Sequence, residues 1–303
     1  MFAISSSSTN RFAPIVVAFA LWTAYASAAP KPLADVPILD ESVQISVAAA
    51  IGDHAGVHCV LDTGSTVGVL RSELTVGAKR AGVSNTRVAN GVVAMPVVEV
   101  RRVSVGSAEV SFVNFLQRDH SWFDASQHLP CVIGINFMQH FTVDFDGIAG
   151  RVRLYPQGTR VDDILGTLPP AGTHLNTRLD DGPIRLDTKV GTIHTQSEID
   201  TGWGYATPNR ALLDALGFTA ADARIQAVTR TGIAGNPVNL KLAEIDGVRV
   251  GALLADKVKI SVSETDMRHI AMHSAPYLHI GAGLIRQHRL LVDYAHADVA
   301  LVP

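Results

Sequence analysis

The chain carries one short pattern twice. Asp62-Thr63-Gly64 follows the apolar run Cys59-Val60-Leu61, and Asp200-Thr201-Gly202 follows Glu198-Ile199. A carboxylate placed directly after a buried strand is costly unless a neighbour pairs it or a reaction uses it. Two copies supply a reason, because each aspartate can meet the other across an internal two-fold. Downstream landmarks repeat in the same order. Asp62 and Asp200 lie 138 residues apart, the Val-x-Val-Gly turns ending at Gly106 and Gly251 lie 145 apart, the apolar-Gly landmarks Gly134 and Gly281 lie 147 apart, and Asp144 and Asp293 lie 149 apart. The slow drift is what small loop insertions produce in duplicated halves. Gly281-Ala282-Gly283 permits two alignments; Gly281 is preferred because Leu284-Ile285 then match Phe137-Met138.

Between these landmarks the pattern is that of strands. Val43, Ile45 and Val47 alternate with Ser42, Gln44 and Ser46, the period of a half-buried strand. A turn over 52–56 leads into a strand from Val57 to Leu61 that delivers Asp62. Residues 71–82 read as a short helix or an irregular connection. Strands are expected at 86–89, 92–98, 100–105 and 110–116, with Asn90-Gly91 as a hairpin turn. Pro156 to Pro170 is the linker expected between the halves, with Pro169-Pro170 and two glycines in it. In the second half, Gly191 to Ile199 delivers Asp200, 208–216 reads as a short helix stopped by Gly217, and Gly232 to Gly235 repeats the hairpin turn.

The N-terminus reads as an export signal. Arg11 gives the positive start, Ala13 to Ala24 the apolar stretch, and Ala26-Ser27-Ala28 a small-x-small cleavage site. The expected division is therefore a signal peptide at 1–28, a first half at 29–160 and a second at 161–303, with the mature chain periplasmic or secreted. That compartment permits a disulfide between Cys59 and Cys131, each three residues before a landmark; two buried free thiols are the alternative. A net charge of -3 with no basic stripe argues against nucleic acid and anionic membranes as partners.

Two carboxylates brought together cannot both ionise easily, so they share one proton and act as acid and base at once. Such a pair activates water. The threonine hydroxyls are suited to bracing the two loops against each other, and the glycines let backbone N–H groups approach the carboxylates.

Taken together, Asp62-Thr63-Gly64-Ser65 with Val132-Ile133-Gly134, and Asp200-Thr201-Gly202 with His279-Ile280-Gly281, resemble the two lobes of an aspartic protease of the pepsin and retroviral-protease superfamily, in tandem on one chain. The resemblance covers nearly all of the mature chain. It implies an all-β fold of two pseudo-symmetric lobes with a cleft between them, and endopeptidase activity on a peptide or protein substrate bound there. Residue by residue, it implies Asp62 and Asp200 as the catalytic dyad, Thr63 and Thr201 as braces, and Gly64 and Gly202 as backbone donors. Ser65 matches a position whose hydroxyl often bonds the carboxylate; Trp203 stands there in the second half, where a large indole is expected to crowd the dyad or shift its loop. Asn90, Gly91, Gly232 and Gly235 become candidates for flaps over the substrate. No cofactor and no metal are implied, and a monomer suffices because both lobes are present.

The rival reading is a binding module that keeps the cleft and has lost turnover, which Trp203 favours. His54 with His58, and His269 with His273, lack further ligands at metal spacing. A Ser-His-Asp hydrolase is disfavoured because no Gly-x-Ser-x-Gly elbow is present.

Overall fold

The computed structural model describes residues 29–40, 43–88, 91–118, 129–166, 173–179, 182–219, 221–231, 237–262 and 274–302. The export segment 1–28, the turn residues Asn90, Gly232 and Gly235, and His269 and His273 lie outside them. The fold is all-β.

The first half runs β1 (Ala34–Pro37), β2 (Ser46–Ile51), β3 (His54–Leu61), β4 (Gly68–Arg71), β5 (Lys79–Val88), β6 (Gly91–Val105), β7 (Ala108–Arg118), β8 (Cys131–Ile133), α1 (Ile135–Met138), β9 (Phe141–Asp146) and β10 (Arg151–Pro156). After α2 (Val161–Leu165) come β11 (Thr177–Arg178), β12 (Ile184–Val190), β13 (Ile193–Asp200), β14 (Thr207–Pro208), α3 (Arg210–Ala215), β15 (Gln226–Thr231) and β16 (Pro237–Ile245). The chain ends with β17 (Val248–Val250), β18 (Leu253–Ala255), β19 (Val258–Ser261), β20 (Tyr277–Gly281), α4 (Ala282–Ile285), β21 (Arg289–Asp293) and β22 (Asp298–Val302).

One connection pattern occurs in both halves. β3 runs parallel to β8 with Val60 opposite Val132, and β4 lies antiparallel on the other side of β8. Likewise β13 runs parallel to β20 with Glu198 opposite His279, and β14 lies antiparallel on its other side. A strand is thus inserted between two sequence neighbours, and the loop leaving β3 or β13 is pinned where that inserted strand ends. Asp200 pairs with Gly281, which settles the alignment of the second landmark. Neither landmark glycine has room for a side chain: a Cβ on Gly134 would stand 2.7 Å from Ser65 O, and one on Gly281 2.7 Å from Tyr205 O.

The halves differ in how they close. In the first, the order β2-β3-β8-β4-β7-β6 returns to β2 through the β2–β6 pairing, a closed six-stranded barrel with β5 appended. This is possible because β6 is one continuous strand across 91–105, where the sequence pattern had led us to expect two, so it can pair with β5, β7 and β2 along its length. In the second half the equivalent path is broken at Asp246-Gly247, with Gly247 at φ +68, and again at Asp256-Lys257. The result is a half-barrel, β14-β20-β13-β12-β17-β18, and a separate β15-β16-β19 sheet joined to it by the Ala206–Ile260 bridge.

Two further expectations are corrected. Residues 71–82 hold one 3-10 turn, Ser72–Thr75, and then enter β5, whose largely exposed side chains hide the strand period. The proposed linker is not free chain: β10 extends to Pro156, and α2 buries Val161 and Ile164 against Tyr155, Leu291 and Ala300. The expected helix near 208–216 is α3, capped by Asn209, whose side chain accepts Leu212 N–H, a contribution of about 1 kcal/mol.

The halves meet in one sheet, β1-β10-β9-β21-β22. Val143 of β9 faces Val292 of β21 at the centre of the junction. On the outer edge, Leu175 N–H donates to Val299 O and Leu301 N–H to Thr173 O, so residues 173–175 mirror β1. The fully buried Asp144 is held across the junction by Arg289, whose Nε and Nη2 each donate at 2.8 Å, and from its own half by Arg153 at 3.1 Å.

Candidate active site

The two inserted strands force the loops after β3 and β13 together. Asp62 N–H donates to Ile133 O at 2.9 Å, fixing the first loop on β8. The threonines then join the loops reciprocally. Thr63 Oγ1 donates to Ile199 O (2.9 Å) and accepts from Thr201 N–H (3.1 Å). Thr201 Oγ1 donates to Leu61 O (2.6 Å) and accepts from Thr63 N–H (3.1 Å). Both side chains are fully buried, where a hydroxyl needs its partners.

This brace sets the carboxyls side by side. A Cβ on Gly64 would lie 2.4 Å from Asp200 Oδ2, and one on Gly202 would lie 2.3 Å from Asp62 Cγ. Only glycine allows each loop to pass over the opposite carboxyl. Gly64 N–H donates to Asp62 Oδ1 (2.8 Å) and Gly202 N–H to Asp200 Oδ1 (2.7 Å). The sequence-predicted residues Asp62, Thr63, Gly64, Asp200, Thr201 and Gly202 are therefore brought to one place.

Two positions behave differently from expectation. Ser65 Oγ donates to Val67 O at 2.8 Å, not to Asp62. Trp203 does not crowd the pair: its N–H donates to Asp200 Oδ1 (3.0 Å), and its indole Nε1–H donates to Thr207 Oγ1 (3.0 Å).

His279 is the residue that sequence reasoning missed. Its Nε2 lies 2.9 Å from Asp200 Oδ2, and the Trp203 ring packs edge-on against the imidazole at 5.6 Å. The signal was present in the landmark, where His279-Ile280-Gly281 has histidine at the place of Val132. One ligand-type atom each from Glu198, Asp200 and His279 lies within 4.8 Å of the others. Asp200 Oδ2 and His279 Nε2 stand at hydrogen-bond distance, the spacing of an ion pair. The pair His54 and His58 lies on β3, away from any such group among the described residues.

The electrostatics of the pair are unequal. Burial raises the Asp62 pKa well above the usual carboxylate range, and the charge and hydrogen bonding of Asp200 add to the rise. Burial acts on Asp200 in the same sense, but the hydrogen bond and charge of His279 outweigh it and hold Asp200 below that range. For His279, burial lowers the pKa, and the bond and charge of Asp200, with the charge of Glu198, reverse this to a net rise. The two carboxyls are thus pushed in opposite directions, Asp62 toward its protonated form and Asp200 toward its ionised form.

Cys59 and Cys131, facing residues on β3 and β8, form a disulfide with Cα atoms 4.5 Å apart. It closes a loop of sequence separation 72 just behind Asp62. The hairpins β5–β6 and β15–β16 are present, with Gly91 opposite Val88 and Thr231 opposite Pro237; their tips fall outside the described residues. A pocket of about 580 Å³ opens between Thr66, Ile135 and Asn136 on one side and Leu179, Gly182 and Tyr294 on the other. Neither aspartate lines it, so no substrate is assigned to it. Among the described residues, no helix is long and apolar enough to cross a membrane.

No protein-family model matches the chain, and no curated protein matches it in sequence.

Proposed function

We propose that this chain is an aspartic endopeptidase with two protease lobes and a substrate cleft over the Asp62–Asp200 pair. The observation that carries the reading is the reciprocal Thr63–Thr201 brace, which holds two carboxyls from separate halves at one point, Asp200 buried and Asp62 half-buried. Burying two acids together is expensive, and a shared proton used in catalysis accounts for it.

In this reading ionised Asp200 takes a proton from a water that attacks the peptide carbonyl carbon, while Asp62 gives its proton to the carbonyl oxygen. Collapse of the tetrahedral intermediate breaks the C–N bond; the amine leaves with the proton from Asp200, and Asp62 recovers the proton of the collapsing hydroxyl. Protein groups alone supply acid and base, so the reading needs no cofactor or metal. The hairpins β5–β6 and β15–β16 serve as flaps over an extended peptide, and a single chain completes the site. Residues 1–28 direct export to the periplasm or beyond.

Asp62→Asn and Asp200→Asn, each incubated with a mixed peptide library across acidic to neutral pH, test the reading. Loss of cutting in both, with folding retained, is expected. An active single variant would overturn the dyad. The binding-module alternative predicts instead that wild type is stabilised against heat by a statine-type inhibitor and cuts nothing.

A further inference from the structure

The duplicated halves provide an internal control on the site. At the parallel pairing just before each aspartate, the first half places Val60 opposite Val132, and the second places Glu198 opposite His279. A pair of valines in one copy is thus a carboxylate and an imidazole in the other, at matching register. Both strands turn these residues toward the face that carries the aspartate, since Glu198 and Asp200 are two apart on β13.

The donor count around the two carboxyls follows this difference. Asp62 receives Gly64 N–H on Oδ1. Asp200 receives Gly202 and Trp203 N–H groups on Oδ1 and has His279 Nε2 on Oδ2. Trp203 has no hydroxyl to offer Asp200, and it backs the imidazole that supplies a donor in its place.

Resting on the endopeptidase reading, we infer that His279 is a positioning residue that breaks the symmetry of the dyad: it holds Asp200 as the base and assigns the single proton to Asp62. His279 is 3% exposed, so an imidazolium there needs anionic neighbours. From β13 it is faced by Asp200 and Glu198; Arg185 of β12 (3.4 Å) and the Tyr277 hydroxyl (3.5 Å) contact Glu198 Oε2. From β14 it meets Thr207, which does not titrate. Asp62 stands beyond Asp200. The directions described above agree with the geometry: Asp62 up, Asp200 down, His279 up.

The consequence for chemistry is a fixed division of labour. A symmetric pair can hold its proton on either member, whereas here every cycle starts with Asp62 as acid and Asp200 as base. Protonation of Asp200, which ends activity on the acid side, is postponed to lower pH.

The test compares the pH dependence of kcat/KM for wild type, His279→Gln, His279→Val and the pair Glu198→Val with His279→Val, which recreates the first-half arrangement. Losing an opposite charge this close raises a carboxylate pKa by about 1–3 units. The acid limb is therefore expected to move up by about that much in His279→Val, and by less in the double variant, which also removes the negative charge of Glu198, and in His279→Gln. A limb that stays in place while only the plateau or the thermal midpoint falls gives His279 a structural role alone and overturns the inference. Activity that stops in EDTA and returns with Zn²⁺ also overturns it, because a cation would then join these atoms. Imidazole NMR of the uncut protein separates this inference from the reading beneath it. His279 should stay protonated above neutral pH in wild type and lose that protonation in Asp200→Asn. If it does so while wild type cuts no peptide, the pairing stands and the endopeptidase reading falls. If peptides are cut and Asp200→Asn leaves the His279 titration unmoved, the inference alone falls.

Discussion

Replacing Thr63 by valine tests the geometry of the site without relying on its chemistry. Valine keeps the shape of threonine and removes the hydroxyl. Two buried backbone groups then lose their partner, the Ile199 carbonyl at 2.9 Å and the Thr201 N–H at 3.1 Å. Each orphaned group costs about 1–3 kcal/mol, so Thr63→Val should destabilise by about 2–6 kcal/mol. Thr63→Ser keeps the hydroxyl and loses one methyl, about 1 kcal/mol. Thr201→Val, which orphans Leu61 O and Thr63 N–H, should behave like Thr63→Val. The double change should cost less than the sum, because either loss already frees the loops. Urea unfolding followed by the fluorescence of Trp203, next to the brace, reads the effect. A Thr63→Val protein that unfolds at the wild-type midpoint, or a Thr63→Ser protein that is equally weakened, would refute the reasoning.

Two other perturbations have definite signs. Removing the Cys59–Cys131 bridge with paired alanines reopens a loop of sequence separation 72. On the chain-entropy account this lowers stability by about 4 kcal/mol, measurable by urea unfolding with and without reductant; an unchanged midpoint would rule that account out. His174 is raised by its hydrogen bond to Asp298, with burial opposing and Asp162 assisting. A raised histidine stabilises fully below its unfolded pKa of about 6.5 and loses that contribution as pH rises through its folded value. The stability gap between wild type and His174→Gln should therefore be widest in mild acid and shrink toward alkaline pH; a constant gap would contradict the pairing.

Much of this architecture was legible in the chain because duplication leaves ordered spacing. Asp62 and Asp200, their Thr-Gly neighbours and the Gly134 and Gly281 landmarks could be aligned by counting, and the structure brings them together. What counting misses is whatever depends on cross-strand partners. β5 was hidden because most of its side chains face solvent, which removes the two-residue period. Closure of the first barrel depends on β2 reaching β6, and opening of the second on a turn at Gly247, neither of which composition reveals. His279 could be aligned but not interpreted, since its meaning comes from lying across from Glu198 and beside Asp200. Ser65 was misread because its hydroxyl found a nearer acceptor in Val67 O.

The junction of β9 with β21 bears on how such a molecule is made. Each inner strand has its other edge occupied by a neighbour from its own half, β10 or β22, and offers the remaining edge to the opposite half. The first half by itself is therefore a closed barrel with one unpaired sheet edge at β9 and one of the two acids. Asp62 meets its partner carboxyl only when the loop after β13, from the second half, is docked on it, so neither half holds the pair alone. On the endopeptidase reading, assembly itself is the safety catch.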